Sequence, residues 1–189
     1  MNGVMNRQYG NYTIRSWQPD DRYAAADVIK NALAEYGLGW EPDGADRDVL
    51  LVEEYYLDHD GEFWVIEDAD EIIGTSAYYP YPHRGENAVE IRKMYLSAKA
   101  RGQGLGRYLL AELERSILAH GYQEIWIETA SVLTAAVRLY EANGYQPATG
   151  VETARCDRVY VKHLQVCSNL EQKVAYLEIN ILPIYVQKI

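Results

Sequence analysis

Cysteine is scarce in this 189-residue sequence, which contains only Cys156 and Cys167. The two lack the spacing of a metal site or a redox motif, so we expect both to be inert. The four histidines are scattered, without a carboxylate or cysteine at ligand spacing. The sequence therefore predicts no metal site. The low cysteine content also fits the reducing cytoplasm, and we expect a cytoplasmic protein.

Long hydrophobic runs are also missing, since no apolar stretch approaches the roughly 20 residues that a membrane-spanning helix needs. The N-terminus has no basic segment followed by an apolar one, so a secretion signal is not expected. We found no internal repeat and no low-complexity linker. These absences favour one globular domain that neither spans a membrane nor is exported.

The charge of the chain is negative, with a formal net value of −10, which argues against nonspecific nucleic-acid binding. Residues 35–71 contain fourteen acidic residues and a single Arg or Lys, whereas residues 91–107 contain five basic residues and no acid. An anionic ligand would account for this basic segment. A solvated surface that balances the acids is the alternative.

Hydrophobic periodicity predicts alternating runs of strands and helices. The predicted strands are 12–17, 62–67, 72–79, 88–96, 124–129 and 158–164. Two helices are predicted to begin after the N-caps Asp20 and Asp46, and two more are predicted over 105–119 and 134–143. This order indicates a mixed α/β sheet with helices on its faces rather than a doubly wound parallel sheet. Residues 1–164 are predicted to form one domain, followed by a tail, 165–189, that packs on the domain or forms a dimer contact.

A glycine-rich turn joins strand 88–96 to helix 105–119 and reads RGQGLGR from 101 to 107. Glycine allows positive φ and close approach of a ligand, and the first amides of a helix attract anions. A Rossmann fingerprint would need glycine at Arg107, and a Walker loop would need Gly-Lys-Ser/Thr. Both standard nucleotide loops are thus excluded. A turn that binds no ligand remains the alternative.

Arg101-x-x-Gly104-x-Gly106 resembles the pyrophosphate-binding signature of the GNAT superfamily of N-acetyltransferases. The resemblance extends over residues 12–164, because the flanking strands and helices occur in the order of that family. It implies a central, mostly antiparallel sheet that splays open and has helices on both faces. It also implies acetyl-CoA as cosubstrate. One departure is Leu133, which stands where many members have an asparagine that contacts the cofactor arm.

The resemblance also implies which residues form the site. The pantetheine arm would lie between strands 88–96 and 124–129, and hydrogen-bond the backbone there. The residues implied in cofactor binding are Met94, Tyr95, Leu96, Arg101, Gly102, Gln103, Gly104, Leu105, Gly106 and Arg107. Glu90 is the candidate general base, with Glu128 a weaker rival, and Tyr140 would donate to the leaving thiolate. Alternatively, Glu90 pairs with Arg92 or Lys93 and Tyr140 is a core residue.

The implied function is transfer of the acetyl group of acetyl-CoA directly to a primary amine of a small molecule or peptide. A non-catalytic acyl-CoA-binding sensor or regulatory module is the alternative. The acidic stretch 35–71 favours a cationic acceptor, such as a small amine, a polyamine or a peptide amine. The expected partners are therefore this acceptor and, through the tail, a second copy in a homodimer.

Overall fold

The computed structural model describes residues 5–165. The strands are β1 Asn6–Tyr9, β2 Tyr12–Ser16, β3 Glu62–Asp68, β4 Glu71–Pro80, β5 Ala88–Leu96, β6 Glu124–Thr129, β7 Gln146–Ala148 and β8 Arg158–His163. The helices are α1 Arg22–Ala34, α2 Arg47–Leu50, α3 Val52–Tyr55, α4 Leu105–Ala119 and α5 Thr134–Ala142. The predicted tail lies almost entirely outside the described residues.

The strands form one eight-stranded sheet in the order β1-β2-β3-β4-β5-β6-β8-β7. Every neighbouring pair is antiparallel except β5 and β6, which are parallel. The parallel pairing covers only three positions and ends where Glu90 meets Trp126. Beyond that point β5 continues to Leu96, so the two strands diverge. The predicted splayed, mostly antiparallel mixed sheet is confirmed.

Helices cover both faces of the sheet, and each face has its own hydrophobic core. On one face, α4 buries Leu105, Leu109, Leu113 and Ile117 against the sheet, at the four-residue spacing of a single helix stripe. On the other face, α1 and the short α2 and α3 pack against alternate residues of β3, such as Phe63 and Val65. The sheet is therefore the middle layer of three.

A β-bulge interrupts the alternation of β5. Lys93 has a φ of +51°, and the register with β4 shifts between Thr75 and Ala77. The Thr75 hydroxyl donates to the Lys93 carbonyl at 2.6 Å, which fixes the bulge. Met94 consequently packs with the α4 core, whereas Lys93 lies against α2. Strict alternation along β5 would place Met94 on the same face as Glu90 and Lys93 on the opposite face, and the bulge reverses both placements.

Several local predictions needed correction. The first helix begins with a 3₁₀ turn whose N-cap is Gln18 rather than Asp20. The backbone amide of Gln18 donates to the Asp21 carboxylate. The helix predicted after Asp46 is broken into α2 and α3 at Leu51. The edge strands β1 and β7 were not predicted, because segments of four and three residues without alternating apolar side chains carry almost no periodic signal.

Candidate active site

A cavity of about 320 Å³ opens where β5 and β6 diverge. Its walls are β5 from Glu90 to Leu96, the end of β6, one side of α5 and the loop that contains Arg155 and Cys156. Within residues 5–165, no strand pairs with β5 on the β6 side beyond Glu90. This part of β5 therefore offers free backbone edge to an extended ligand, as in strand addition.

The glycine-rich turn lies at one end of this cavity, and both Gly102 and Gly106 line it. Gly102 and Gly104 have φ values of +76° and +81°, a conformation that favours glycine. No acceptor in the described part of the chain binds the backbone amides of 102–107. They stand at the N-terminus of the fifteen-residue α4, whose dipole attracts negative charge. The turn is thus suited to a pyrophosphate.

The side chains of the turn are held by the protein itself. Arg101 donates to the Leu96 carbonyl at 2.9 Å and its guanidinium pairs with Glu35 at 2.5 Å. Gln103 donates to the Lys99 carbonyl, and its own carbonyl accepts the Tyr9 hydroxyl. Leu105 is buried in the α4 core. Binding of an anion here therefore depends first on the backbone amides rather than on the arginine that the motif suggested.

Six of the ten residues predicted to bind the cofactor line the cavity directly: Met94, Tyr95, Leu96, Arg101, Gly102 and Gly106. The other four, Gln103, Gly104, Leu105 and Arg107, belong to the adjoining turn and first helical turn. Arg107 is exposed, and its guanidinium makes no hydrogen bond to residues 5–165. The structure thus places six of the predicted residues in the cavity wall and the other four in the adjoining segment, where Leu105 is buried in the core.

Glu90 lies in the cavity wall, at the last position where β5 is paired with β6. Its side chain is buried, and its Oε2 accepts the Tyr79 hydroxyl at 2.9 Å. Burial raises the pKa of this carboxyl, while the nearby positive charge of Arg92 opposes the rise. A carboxylate with a raised pKa in a cavity is a suitable proton acceptor.

Tyr140 reaches the same cavity from α5. The residue is buried, and its ring packs near Tyr145 and Tyr160, with centroids 5.8 and 6.2 Å away. Burial raises the pKa of the phenol, so it remains protonated at neutral pH. Tyr140 is therefore a core residue that also lines the cavity with a protonated phenol.

A buried ion network forms the cavity wall on the side of α2. Asp46 is fully buried and accepts both Lys93 Nζ at 2.7 Å and a two-pronged contact from Arg155 at 2.6 Å. Asp48 accepts the Tyr56 hydroxyl and lies 3.1 Å from Lys93 Nζ. These acids belong to the stretch expected to attract a cationic acceptor. Since protein cations already neutralise them, they supply little free negative charge to the cavity.

The loop after β7 closes the cavity from a third direction. Glu128 accepts the backbone amides of Glu152 and Thr153 at 2.7 and 2.8 Å, so this carboxylate anchors the loop. Cys156 lines the cavity, but burial raises the pKa of its thiol to about 11. The thiol therefore stays protonated near neutral pH and is a poor nucleophile.

Sequence reasoning missed Arg155 as a residue of this site. Arg155 contacts Asp46, 109 positions earlier in the chain, and no local spacing connects the two. The hydrogen bond from Tyr79 to Glu90 could not be predicted either, because it depends on the register of β4 with β5.

Within residues 5–165, no group of three or more histidine, cysteine or acidic side chains is arranged to hold a metal ion. Over the same residues, no helix has the length and hydrophobicity to cross a membrane.

A profile of the acetyltransferase (GNAT) family matches residues 25–145, which contain β5, the glycine-rich turn and Tyr140. The chain belongs to the GNAT acetyltransferase family. The GNAT membership and the enzyme class expected from the turn are thereby confirmed, and the protein is an N-acetyltransferase. GNAT enzymes use acetyl-CoA as acetyl donor, and the amides of the turn and the free edge of β5 fit its pyrophosphate and pantetheine arm.

Two relatives illustrate the range of the similarity. The chain is 30% identical over 128 residues to the Escherichia coli protein named "Uncharacterized N-acetyltransferase YjgM", covering 67% of this chain and 77% of that protein. It is 28% identical over 101 residues to rat N-acetyltransferase 8F1, covering 52% of this chain but only 46% of that protein. The chain thus spans less than half of this mammalian relative.

Among solved structures, YncA from Salmonella typhimurium, described with its cofactor acetyl-CoA, has a TM-score of 0.67. The match covers 85% of this chain and 98% of that chain at 20% sequence identity. At this identity the likeness establishes the GNAT fold.

Proposed function

We propose that the protein binds acetyl-CoA along the splayed edge of β5 and transfers its acetyl group to a primary amine of a small molecule or peptide. The observation that carries this proposal is the row of amides at 102–107, which lack protein acceptors within the described chain. They adjoin a cavity that is lined by Gly102 and Gly106 and also by Glu90 and Tyr140. An anion site, a channel and two proton-handling groups are the parts that direct acetyl transfer requires.

In this mechanism, backbone amides of 102–107 hold the pyrophosphate, and the free edge of β5 near Met94 and Leu96 orients the pantetheine arm. Bound acetyl-CoA supplies an activated acetyl thioester. A β5 amide polarises the thioester carbonyl as negative charge develops on its oxygen. These contacts come from the main chain, so they do not require the asparagine that many family members have at the position of Leu133. The apolar side chain of Leu133 lines the cavity instead.

Glu90 removes the proton that an ammonium acceptor must lose before its nitrogen can attack. The Glu90 carboxylate takes this first proton, directly or through a water, before the C–N bond forms. As the C–S bond then breaks, the nitrogen releases a second proton, which protonates the departing thiolate to give the free CoA thiol. The raised pKa of Glu90 makes this carboxylate a stronger base than a solvated one. Tyr79, which donates to Oε2, keeps the side chain oriented.

Tyr140 stabilises the sulfur as it leaves. Because burial raises the pKa of the phenol well above that of a thiol, hydrogen-bond donation is favoured over complete proton transfer. No enzyme nucleophile is needed, in agreement with the protonated state of the Cys156 thiol.

An assay of thiol release with acetyl-CoA and a library of amines tests the proposal. We expect free CoA to appear only when acetyl-CoA and a suitable amine are both present. Calorimetry should detect CoA binding without an acceptor. CoA binding without turnover of any amine would instead indicate a sensor, and the absence of CoA binding would refute the assignment of the turn.

Residues 1–164 are proposed to be the complete catalytic domain, with 165–189 as a tail that contributes a dimer contact. In support, the Leu164 amide donates to the Gln123 carbonyl at 2.7 Å, and its side chain joins the α4 core. A truncation after Gln165 keeps this anchor. It should retain acetyl transfer within about twofold of the full chain and elute as a smaller species if the tail mediates dimerisation.

The free Cys156 thiol supports a cytoplasmic location.

A further inference from the structure

Arg92 is a charged side chain of the cavity wall whose hydrogen-bond donors are not used. Its side chain is 22% exposed and lines the cavity beside Glu90. The nearest carboxylate oxygens are Asp48 Oδ2 at 3.6 Å and Glu90 Oε2 at 3.9 Å, both beyond hydrogen-bond distance. No other residue within 5–165 accepts a hydrogen bond from this guanidinium.

The other cations near Arg92 are already committed. Lys93 Nζ donates to Asp46 and to the Ala45 carbonyl, and Arg155 makes two bonds to Asp46. Tyr56 donates to Asp48 at 2.5 Å. The local charge is balanced, with Asp46, Asp48 and Glu90 against Arg92, Lys93 and Arg155. When Glu90 takes up the proton of the acceptor, one positive charge is left in excess, at Arg92.

We propose that the acceptor is an amino acid or a close analogue, whose amine faces Glu90 while its carboxylate is bound by Arg92. This inference rests on the proposed function. Glu90 and Arg92 lie two residues apart on the same side of β5, before the bulge, and their polar atoms approach to 3.9 Å. A molecule that carries its amine and carboxylate on one carbon can contact both.

The chemistry of the two groups supports this orientation. A guanidinium presents a planar fork of donors that matches a carboxylate, and such a charge-assisted pair is strong where water is largely excluded. A polyamine would instead bring a further positive charge against Arg92 and would find Asp46 and Asp48 already neutralised. On this proposal the acceptor is a zwitterion, whereas the acidic stretch alone favoured a cationic amine.

The test compares free amino acids with the corresponding amino acid amides, which keep the amine and the side chain but lack the carboxylate. For the full-length enzyme, we expect kcat/KM for the preferred free acid to exceed that for its amide by about 10- to 100-fold. Arg92→Gln should reduce this preference to less than about threefold, mainly by raising KM for the free acid. The KM for acetyl-CoA should not change.

Two further variants make the result decisive. Arg92→Lys keeps the charge without the fork and should give an intermediate preference, which also covers the case in which Arg92→Gln does not fold. Arg138→Gln removes an exposed arginine of α5 and should leave the preference unchanged. Equal or better turnover of amides or polyamines by the unmodified enzyme would overturn the inference while leaving acetyl transfer intact. Failure to turn over any amine would count against the proposed function instead.

Discussion

Glu90 is a buried carboxylate that lowers the stability of the fold and is proposed to serve as the general base. Its carboxylate is buried next to Tyr79 and Arg92, so ionisation is opposed by lost hydration and assisted by one positive charge. Because the pKa of Glu90 is raised in the folded state, the protonated form contributes stability that is lost as the pH rises through that pKa. The enzyme therefore keeps a carboxylate here at a cost to stability at neutral pH.

Glu90→Gln should lower kcat/KM for the amine by about 10²- to 10⁴-fold, the usual contribution of a general base. The neutral amide removes the proton acceptor but still accepts from Tyr79, so the melting temperature at pH 7 should not fall. Steady-state kinetics across pH would show the acidic limb of the wild-type profile disappearing in the variant. Glu86→Gln, at an exposed loop position, is the control. An unchanged pH profile in the Glu90 variant would exclude the base role.

Tyr140 and Tyr145 provide a matched pair of buried phenols in one aromatic cluster. Only Tyr140 lines the cavity, whereas the Tyr145 hydroxyl is buried without a hydrogen-bond partner in the described chain. Tyr140→Phe should reduce kcat about tenfold, which corresponds to about 1.4 kcal/mol of transition-state stabilisation. Tyr145→Phe should leave kcat unchanged. Equal rates for both variants, measured with saturating acetyl-CoA, would reduce Tyr140 to a packing residue.

At the level of elements, the bulge in β5 and the turn before α4 generate the site together. The bulge at Lys93 brings two consecutive side chains, Arg92 and Lys93, to the α2 face, and Met94 to the α4 face. The turn then exposes the first amides of α4. The edge strand β1 covers this turn, because the Tyr9 hydroxyl donates to the Gln103 carbonyl and the Tyr9 ring packs against Tyr108 with a centroid distance of 4.6 Å.

Gly104→Ala should destabilise the turn more than Gly102→Ala, although both glycines have positive φ. Each alanine incurs about 1–2 kcal/mol of left-handed backbone strain. A Cβ at Gly104 would additionally lie 2.6 Å from the Tyr9 hydroxyl, whereas a Cβ at Gly102 meets nothing within 4 Å. Urea denaturation would measure the difference. Adding Tyr9→Phe to Gly104→Ala should recover part of the loss, and no recovery would show that the contact with Tyr9 is not its cause.

For the whole molecule, the ion network around Asp46 joins segments that are distant in sequence. Asp46 precedes α2, Lys93 belongs to β5, and Arg155 lies in the loop after β7. The two cations hold the pKa of Asp46 near 2, against the opposing effect of burial. A carboxyl with a lowered pKa stabilises the fold above its unfolded pKa, and this stability is lost as the pH falls toward 2.

Asp46→Asn should lower the free energy of unfolding at pH 7 by about 3–5 kcal/mol, because Lys93 and Arg155 would remain buried without their counter-charge. The wild-type protein should lose stability between about pH 4 and pH 2, and the variant should lose less over that window. Denaturant titrations at several pH values test both statements. Asp43→Asn, at an exposed position three residues earlier, is the control. Parallel pH curves for wild type and Asp46→Asn would contradict this account.

The strands and helices that could be predicted were those with a strong local pattern, and α4, the β3–β4 hairpin, β5 and β6 were all placed to within a residue or two. The apolar residues of α4 repeat every four positions, whereas β3 and β4 are two continuously buried, β-rich runs separated by a short polar turn. The broken helix after Asp46 escaped prediction. At the break, the Leu50 carbonyl accepts a hydrogen bond from Arg22, which lies 28 positions earlier, so this contact is non-local.

The local sequence alone determined the glycine turn, the helix it starts and the strand before it, because φ preference, end-of-helix amides and hydrophobic spacing act over a few residues. Tertiary structure alone decided which side chains share the cavity. The bulge in β5 places every β5 residue after Arg92 on the face opposite to the one that strict alternation would give it. The pairing of β4 with β5 brings Tyr79 to Glu90. Arg155 met Asp46 only because the loop after β7 folds back across the sheet. Such pairings depend on register and chain reversal, which no short stretch of residues encodes.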